Sequence, residues 1–215
     1  MRVHYRLWGK PGAALGTQTL NESCSRLAQN PALLNDALEI IEWSADESRV
    51  GGQSPSLSFP CPFGLHAHYG GDDIKAGLGK ATMQTAGERG VGIFHFPHIK
   101  AYVLLVTFQK SERDFSPSTM YADYPISREL MHWESQANTP QSTDTGQNLI
   151  HHAERDYTIL IFARDVRKRH GIAVPFTYLG PATRVSYQNE RPIQIVWRLP
   201  HGMPAEMLEE NRRGA

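Results

Sequence analysis

Beyond residue 100 the chain carries its apolar residues in short, dense runs. Residues 101–108 (AYVLLVTF) are β-branched, aliphatic and aromatic almost throughout, too apolar for a strand with one solvated face. Residues 157–163 (YTILIFA) form a second such run. Residues 176–179, 184–187 and 193–198 are shorter and closer to strict alternation, the pattern of half-buried strands. Five or six short strands separated by turn residues predict an α+β protein, mostly β, built on a small antiparallel β-barrel. Residues 111–146 interrupt this series without a strong period, although 127–136 fit either a strand or a helical turn. A connection of that length inside a small domain is the first place to look for function.

The N-terminal part has a different period. Residues 1–18 are punctuated by Gly and Pro. Thr19 and Glu22 have capping-box spacing ahead of a short helix to about Gln29. Asn30 and Pro31 then restart a helix as N-cap and first residue, with Leu33, Leu34, Ala37, Leu38 and Ile41 forming one apolar stripe. That helix is expected to end between residues 44 and 47. Asp72 is a candidate cap for a further short helix, which its neighbouring glycines weaken. The resulting division is a leader and helical hairpin over 1–50, a Pro- and Gly-rich linker over 51–64, the β domain over 65–204, and a tail over 205–215.

Composition narrows the partners. The chain has 215 residues, with 22 basic and 22 acidic side chains. Zero formal charge argues against a non-specific nucleic-acid coat, so any such contact needs a local patch or a shaped pocket. Cys24 and Cys61 stand too far apart in sequence for a thiolate zinc motif, and they imply no disulfide framework. No apolar run approaches the ~20 residues that span a bilayer. With no signal-peptide pattern at the start either, the expectation is a cytoplasmic protein without a membrane partner.

Candidate chemistry clusters in two places. Trp133, Ser135 and Gln136 place a stacking face beside groups that bond base edges, and a flipped or single-stranded base is the ligand such a set suits. Alternatively, Trp133 is a core aromatic. Lys110, Ser111 and Ser116 are donors for phosphate oxygens, and Tyr121, Asp123 and Tyr124 are placed to line the same cleft. The only dense basic run, residues 164–170, holds Arg164, Arg167, Lys168 and Arg169 at an expected hairpin tip, where it suits backbone contacts or is simply solvated. The ten histidines include no H-E-x-x-H helix. Walker A, H-x-K phosphodiesterase, PD-(D/E)xK and G-x-S-x-G patterns are also missing from the sequence. No cofactor is expected, and an enzyme acting alone is disfavoured. The alternatives are a metal-dependent nuclease or hydrolase using Asp114, Asp123 and Glu134, and a protein-interaction domain.

Several longer strings resemble a known family. They include residues 65–69 (LHAHY), 107–117 (TFQKSERDFSP), 120–124 (MYADY), 132–136 (HWESQ) and 176–181 (FTYLGP). Over about residues 27–204 the chain is similar to the uncharacterised C-terminal domain of bacterial superfamily II (DEAD/DEAH-type) helicase proteins, many with a phospholipase-D-like nuclease domain at the other end. The resemblance implies a restriction or phage-defence setting, with a helicase or nuclease partner or fused domain. Within it, this chain would read DNA, a modified base included, on a PUA/SRA-like or related barrel.

Overall fold

Asn30 and Pro31 open the first described helix as their order demands. In the computed structural model, α1 spans Pro31–Val50, and the Asn30 side-chain oxygen accepts the Leu33 amide at 3.2 Å. The helix runs a few residues beyond its expected end. The structure describes residues 25, 28–50, 55–79, 92–109 and 122–212, so the first helix of the expected hairpin lies largely outside the described residues. The chain divides into two units, residues 1–67 with 71–89, and residues 68–70 with 90–215. In the first unit α2, Gly71–Gly77, places Asp72 in its first turn and not at the cap. Phe63, Ile74 and Leu78 are buried there. A Cβ on Gly77 would stand 2.6 Å from the Phe63 ring, so only glycine fits without displacing that ring.

The second unit is built on an eight-stranded sheet. Its strands are β1 (His68–Tyr69), β2 (Ile93–Phe96), β3 (Ala101–Thr107), β4 (Tyr124–Pro125), β5 (Leu130–Glu134), β6 (Thr158–Arg164), β9 (Phe176–Gln188) and β10 (Gln194–Arg198). The order is β2-β3-β6-β9-β10-β5-β4, with β1 also on β9. The expected closed antiparallel barrel of PUA/SRA type is therefore corrected to a mixed sheet that is not closed. β3 and β6 pair in parallel, from Ala101 opposite Thr158 to Thr107 opposite Arg164, and the terminal strands β2 and β4 do not pair with each other. The apolar density of those two runs has its explanation here. A parallel pair is covered on both faces, so alternation disappears. Tyr102, Leu104, Ile159 and Ile161 face one core, while Val103, Leu160 and Phe162 are equally buried on the opposite face.

β9 joins two halves of the sheet. The two short strands expected at 176–179 and 184–187 are one strand of 13 residues. Its first part pairs with β6 and its second with β10. Gly180, at φ +92°, and Pro181 lie beside a register shift opposite Ile161 and Phe162. A proline inside a ladder is accommodated at such irregularities, where its missing donor is not needed. Trp133, Met131, Ile195 and Trp197 from β5 and β10 join the cluster of Tyr102, Leu104, Ile159 and Ile161 from β3 and β6, so the two halves share one core.

α3, Asp144–Ile150, seats Leu149 and Ile150 in that core and begins with Thr143 as N-cap, its hydroxyl accepting the Gly146 amide at 3.1 Å. The chain closes on β7 (Lys168–Arg169) and β8 (Ile172–Ala173), which form a separate hairpin, and α4, Ala205–Arg212.

Just past α3, His152 ties three segments together. Its Nε2 accepts the Arg184 amide at 3.1 Å and its Nδ1 lies 3.2 Å from the Tyr157 carbonyl. An amide only donates and a carbonyl only accepts, so the ring is neutral with its proton on Nδ1. Burial holds its pKa below the usual value. The Tyr157 carbonyl opposes that shift and the Arg184 charge reinforces it.

Two outcomes follow from this packing. Gly146→Ala would bring a methyl 2.2 Å from the Pro140 carbonyl oxygen, and denaturant unfolding should show a loss of about 1–3 kcal/mol. His152 takes up a proton more readily unfolded than folded, so its contribution is complete above about pH 6.5 and is lost as pH falls toward the lower folded value. Unfolding midpoints measured from pH 8 to pH 5 should decline less steeply in His152→Gln than in the parent.

Candidate functional site

Parallel pairing determines where the loops of the second unit leave the sheet. Because β3 and β6 run in the same direction, the segments that follow them depart from the same end. Phe108 and Gln109 extend the ladder, donating to the carbonyls of Arg164 and Asp165 at 3.0 and 2.7 Å. Gln109 then reaches α4, its side chain donating to the Glu210 carbonyl at 3.2 Å and to Asn211 at 3.3 Å. α4 also lies against β4, where the chain is again described from Ala122. Gln136 comes to the same region, near Gly92 at the start of β2.

The β4–β5 side of the sheet carries an aromatic stack and a polar ladder, in register with residues 186–188 of β9, whereas the end of β6 is in register with Thr177. The ring of Tyr124 lies parallel to His132, centroids 4.6 Å apart, with 47% of Tyr124 exposed. His132 Nδ1 donates to the Ala122 carbonyl at 2.7 Å, which fixes the lower ring of the stack. Glu134 accepts the Ala122 amide at 3.0 Å through one oxygen and the Gln194 side chain at 2.8 Å through the other. Gln194 in turn accepts from Gln188 at 2.7 Å. Asp123, buried, accepts the Glu134 amide at 3.0 Å.

The Asp123 carboxylate thus serves a backbone donor, and that of Glu134 serves one backbone and one side-chain donor. Among the described residues no three His, Cys, Asp or Glu side chains gather as a metal site, and Asp114 lies outside those residues.

The β7–β8 hairpin leaves the sheet between the end of β6 and the start of β9. His170 and Gly171 both adopt positive φ, 53° and 81°, the conformation of a two-residue type I′ turn, whose twist suits a tight hairpin. Lys168 pairs with Ala173 and Arg169 with Ile172. The stem is fastened by Arg164, which bonds Thr107 Oγ1 at 3.0 Å and the Val174 carbonyl at 2.9 Å and lies 4.1 Å over the Phe176 ring. Arg169 bonds Asp165 and comes within 4.0 Å of Glu210 on α4.

The residues singled out from sequence divide accordingly. Arg167, Lys168 and Arg169 are exposed on the hairpin, and Tyr124 is exposed on β4. Arg164 is half-buried in the fastening just described. Trp133 is only 3% exposed, its ring against Trp197, so in this arrangement it offers no face to a base. Ser135 is fully buried, donating to the Thr139 carbonyl and accepting the Ile193 amide, both at 2.9 Å, so it joins β5 to β10. Lys110, Ser111, Ser116 and Tyr121 lie outside the described residues, between the two ends that meet α4.

Sequence reasoning missed His132, the Gln188–Gln194–Glu134 ladder and the exposed Ile172. The first two were legible in the period-2 register of β5 and β10, and Ile172 in the His-Gly turn signal before it.

A family model described as a domain of unknown function, DUF3427, matches residues 63–210. Among solved structures, the DNA modification-dependent restriction endonuclease AspBHI is similar at 13% identity over 76% of this chain and 80% of its own, with a TM-score of 0.37. No curated protein matches the chain. Among the described residues, no helix is long and apolar enough to cross a membrane.

Burial separates the two candidate aromatics Trp133 and Tyr124. Trp133→Ala should lower the unfolding free energy by about 3–5 kcal/mol, as for any large core truncation. Tyr124→Ala should cost about 1 kcal/mol or less, the scale of an exposed aromatic pair. Equal losses in chemical denaturation would contradict the assignment of one ring to the core and the other to the surface.

Proposed function

The chain belongs to the DUF3427 family, and from that premise we propose that its second unit is a DNA-reading module, with the end of the sheet beyond β3 and β6, and the α4 that leads from it to β4, as its working surface. The observation that carries the reading is convergence. One helix, α4, links a basic hairpin through Arg169, the strand β4 that carries the exposed aromatic stack, and both boundaries of residues 110–121, where the remaining candidate phosphate ligands lie.

The chemistry of the parts is complementary. Lys168 and Arg167 supply sequence-independent attraction to phosphates, a local patch of the kind that an uncharged chain requires. Tyr124, backed by His132, presents a flat, immobilised ring on which a base can stack. The Glu134–Gln194–Gln188 ladder places acceptors and amide donors along the neighbouring strands, the groups that distinguish one base edge from another. A flipped or modified base is the ligand that uses stacking and edge contacts together. The helicase–nuclease setting, a restriction or phage-defence system in which this unit selects the DNA and a partner acts on it, is supported by the resemblance of residues 27–204 alone.

The test is fluorescence anisotropy of the full chain with short duplexes and single strands, with and without 5-methyl- or 5-hydroxymethylcytosine, at rising salt. Binding should weaken with salt, and Lys168→Ala should reduce the salt slope by about 1. Tyr124→Ala should cost about 1–3 kcal/mol of affinity on the strand that carries the stacked base. Absence of binding to every oligonucleotide at low salt would remove the reading.

A further inference from the structure

We propose that the β7–β8 hairpin is a groove-entering arm whose apolar tip residue, Ile172, wedges between base pairs; this rests on the DNA-reading assignment above. Three observations on the hairpin itself carry it. First, Ile172 is 75% exposed, the most exposed of the large apolar side chains among the described residues. Solvating an isoleucine forgoes the burial that the side chain normally gains.

Second, the hairpin stands clear. Residues 167–173 are all exposed, and a Cβ on Gly171 would meet nothing within 4 Å. The tight turn and the Arg164 fastening nevertheless hold its direction, so an approaching duplex meets a formed arm. A two-stranded ribbon fits a DNA groove in width.

Third, the charge is arranged around the apolar residue. Directly opposed residues of an antiparallel pair share a face, and so do positions two apart, which puts Arg167, Arg169 and Ile172 on one face and Lys168 on the other. Asp165 and Glu210 draw Arg169 back toward α4. The result is an apolar point with Arg167 on its own face of the ribbon and Lys168 on the other. Proteins that kink duplexes use this combination, since cations hold the two backbones while an aliphatic side chain opens a base step. A protein partner would equally bury Ile172, but it gives no reason for the surrounding Arg167 and Lys168.

The experiment uses the full chain and duplexes with 2-aminopurine at successive positions, a base whose fluorescence rises when it is unstacked. Affinity is read by anisotropy in the same samples. The parent should bind and raise the fluorescence at one or two adjacent positions. Ile172→Ser, at an exposed site where folding is not at stake, should keep measurable binding and lose that rise. Lys168→Ala should weaken binding and keep the rise at saturating protein. Binding by the parent with no rise at any position would overturn the wedge and leave DNA reading intact. A rise that persists in Ile172→Ser would also overturn it, leaving the tip for a protein contact. No binding by the parent would overturn both.

Discussion

Seven consecutive residue pairs hold β3 and β6 side by side in parallel, and the second unit is organised by that contact. Antiparallel neighbours can be joined by a tight turn, whereas parallel neighbours need the chain to travel back the full length of the sheet. Between Thr107 and Thr158 the chain makes that journey, and on the way it lays down β4, β5 and α3. The pair must also be covered on both faces, which draws Trp133 and Trp197 into the core from one side and leaves Val103 and Phe162 to be buried on the other. The same geometry sends both following segments out of one end. Core and working surface are therefore two consequences of one pairing.

What the sequence made legible was local. Asn30 and Pro31 announced their helix because a cap and a fixed φ act over one turn. The apolar runs at 101–108 and 157–163 announced strands because burial leaves its mark on composition. The partner of each strand was not legible. Near-continuous apolarity is shared by parallel strands and by closely packed antiparallel ones, and the barrel expectation followed from taking the second option. Nor could the break at Gly180 and Pro181 be distinguished from a turn. Gly-Pro ordinarily ends a strand, and only the register shift opposite Ile161 shows how this one continues.

The candidate site shows the same division. The basic run at 164–170 was visible as charge, in which Arg164 and Lys168 have equal standing. Tertiary contacts part them: one guanidinium is committed to Thr107, Val174 and Phe176, while the lysine meets solvent. Trp133 and Ser135 drew notice for their chemistry, and their alternation with His132 and Glu134 was the better guide. In a strand with one face in the core, neighbours in sequence belong to different environments, so a five-residue cluster of interesting side chains is split between the two.

The hairpin of β7 and β8 has a consequence for how this protein can change over time. It contributes no residue to the buried cores, and its shape is set by its turn and by the Arg164 fastening at its base. Substitutions along it therefore escape the stability threshold that restrains Trp133, Gly146 or Ile161. Selection on what the arm touches can act there almost independently of selection for folding. Relatives with superimposable sheets can thus carry arms of unrelated length and charge, and the sheet will be the poorer guide to what each of them binds.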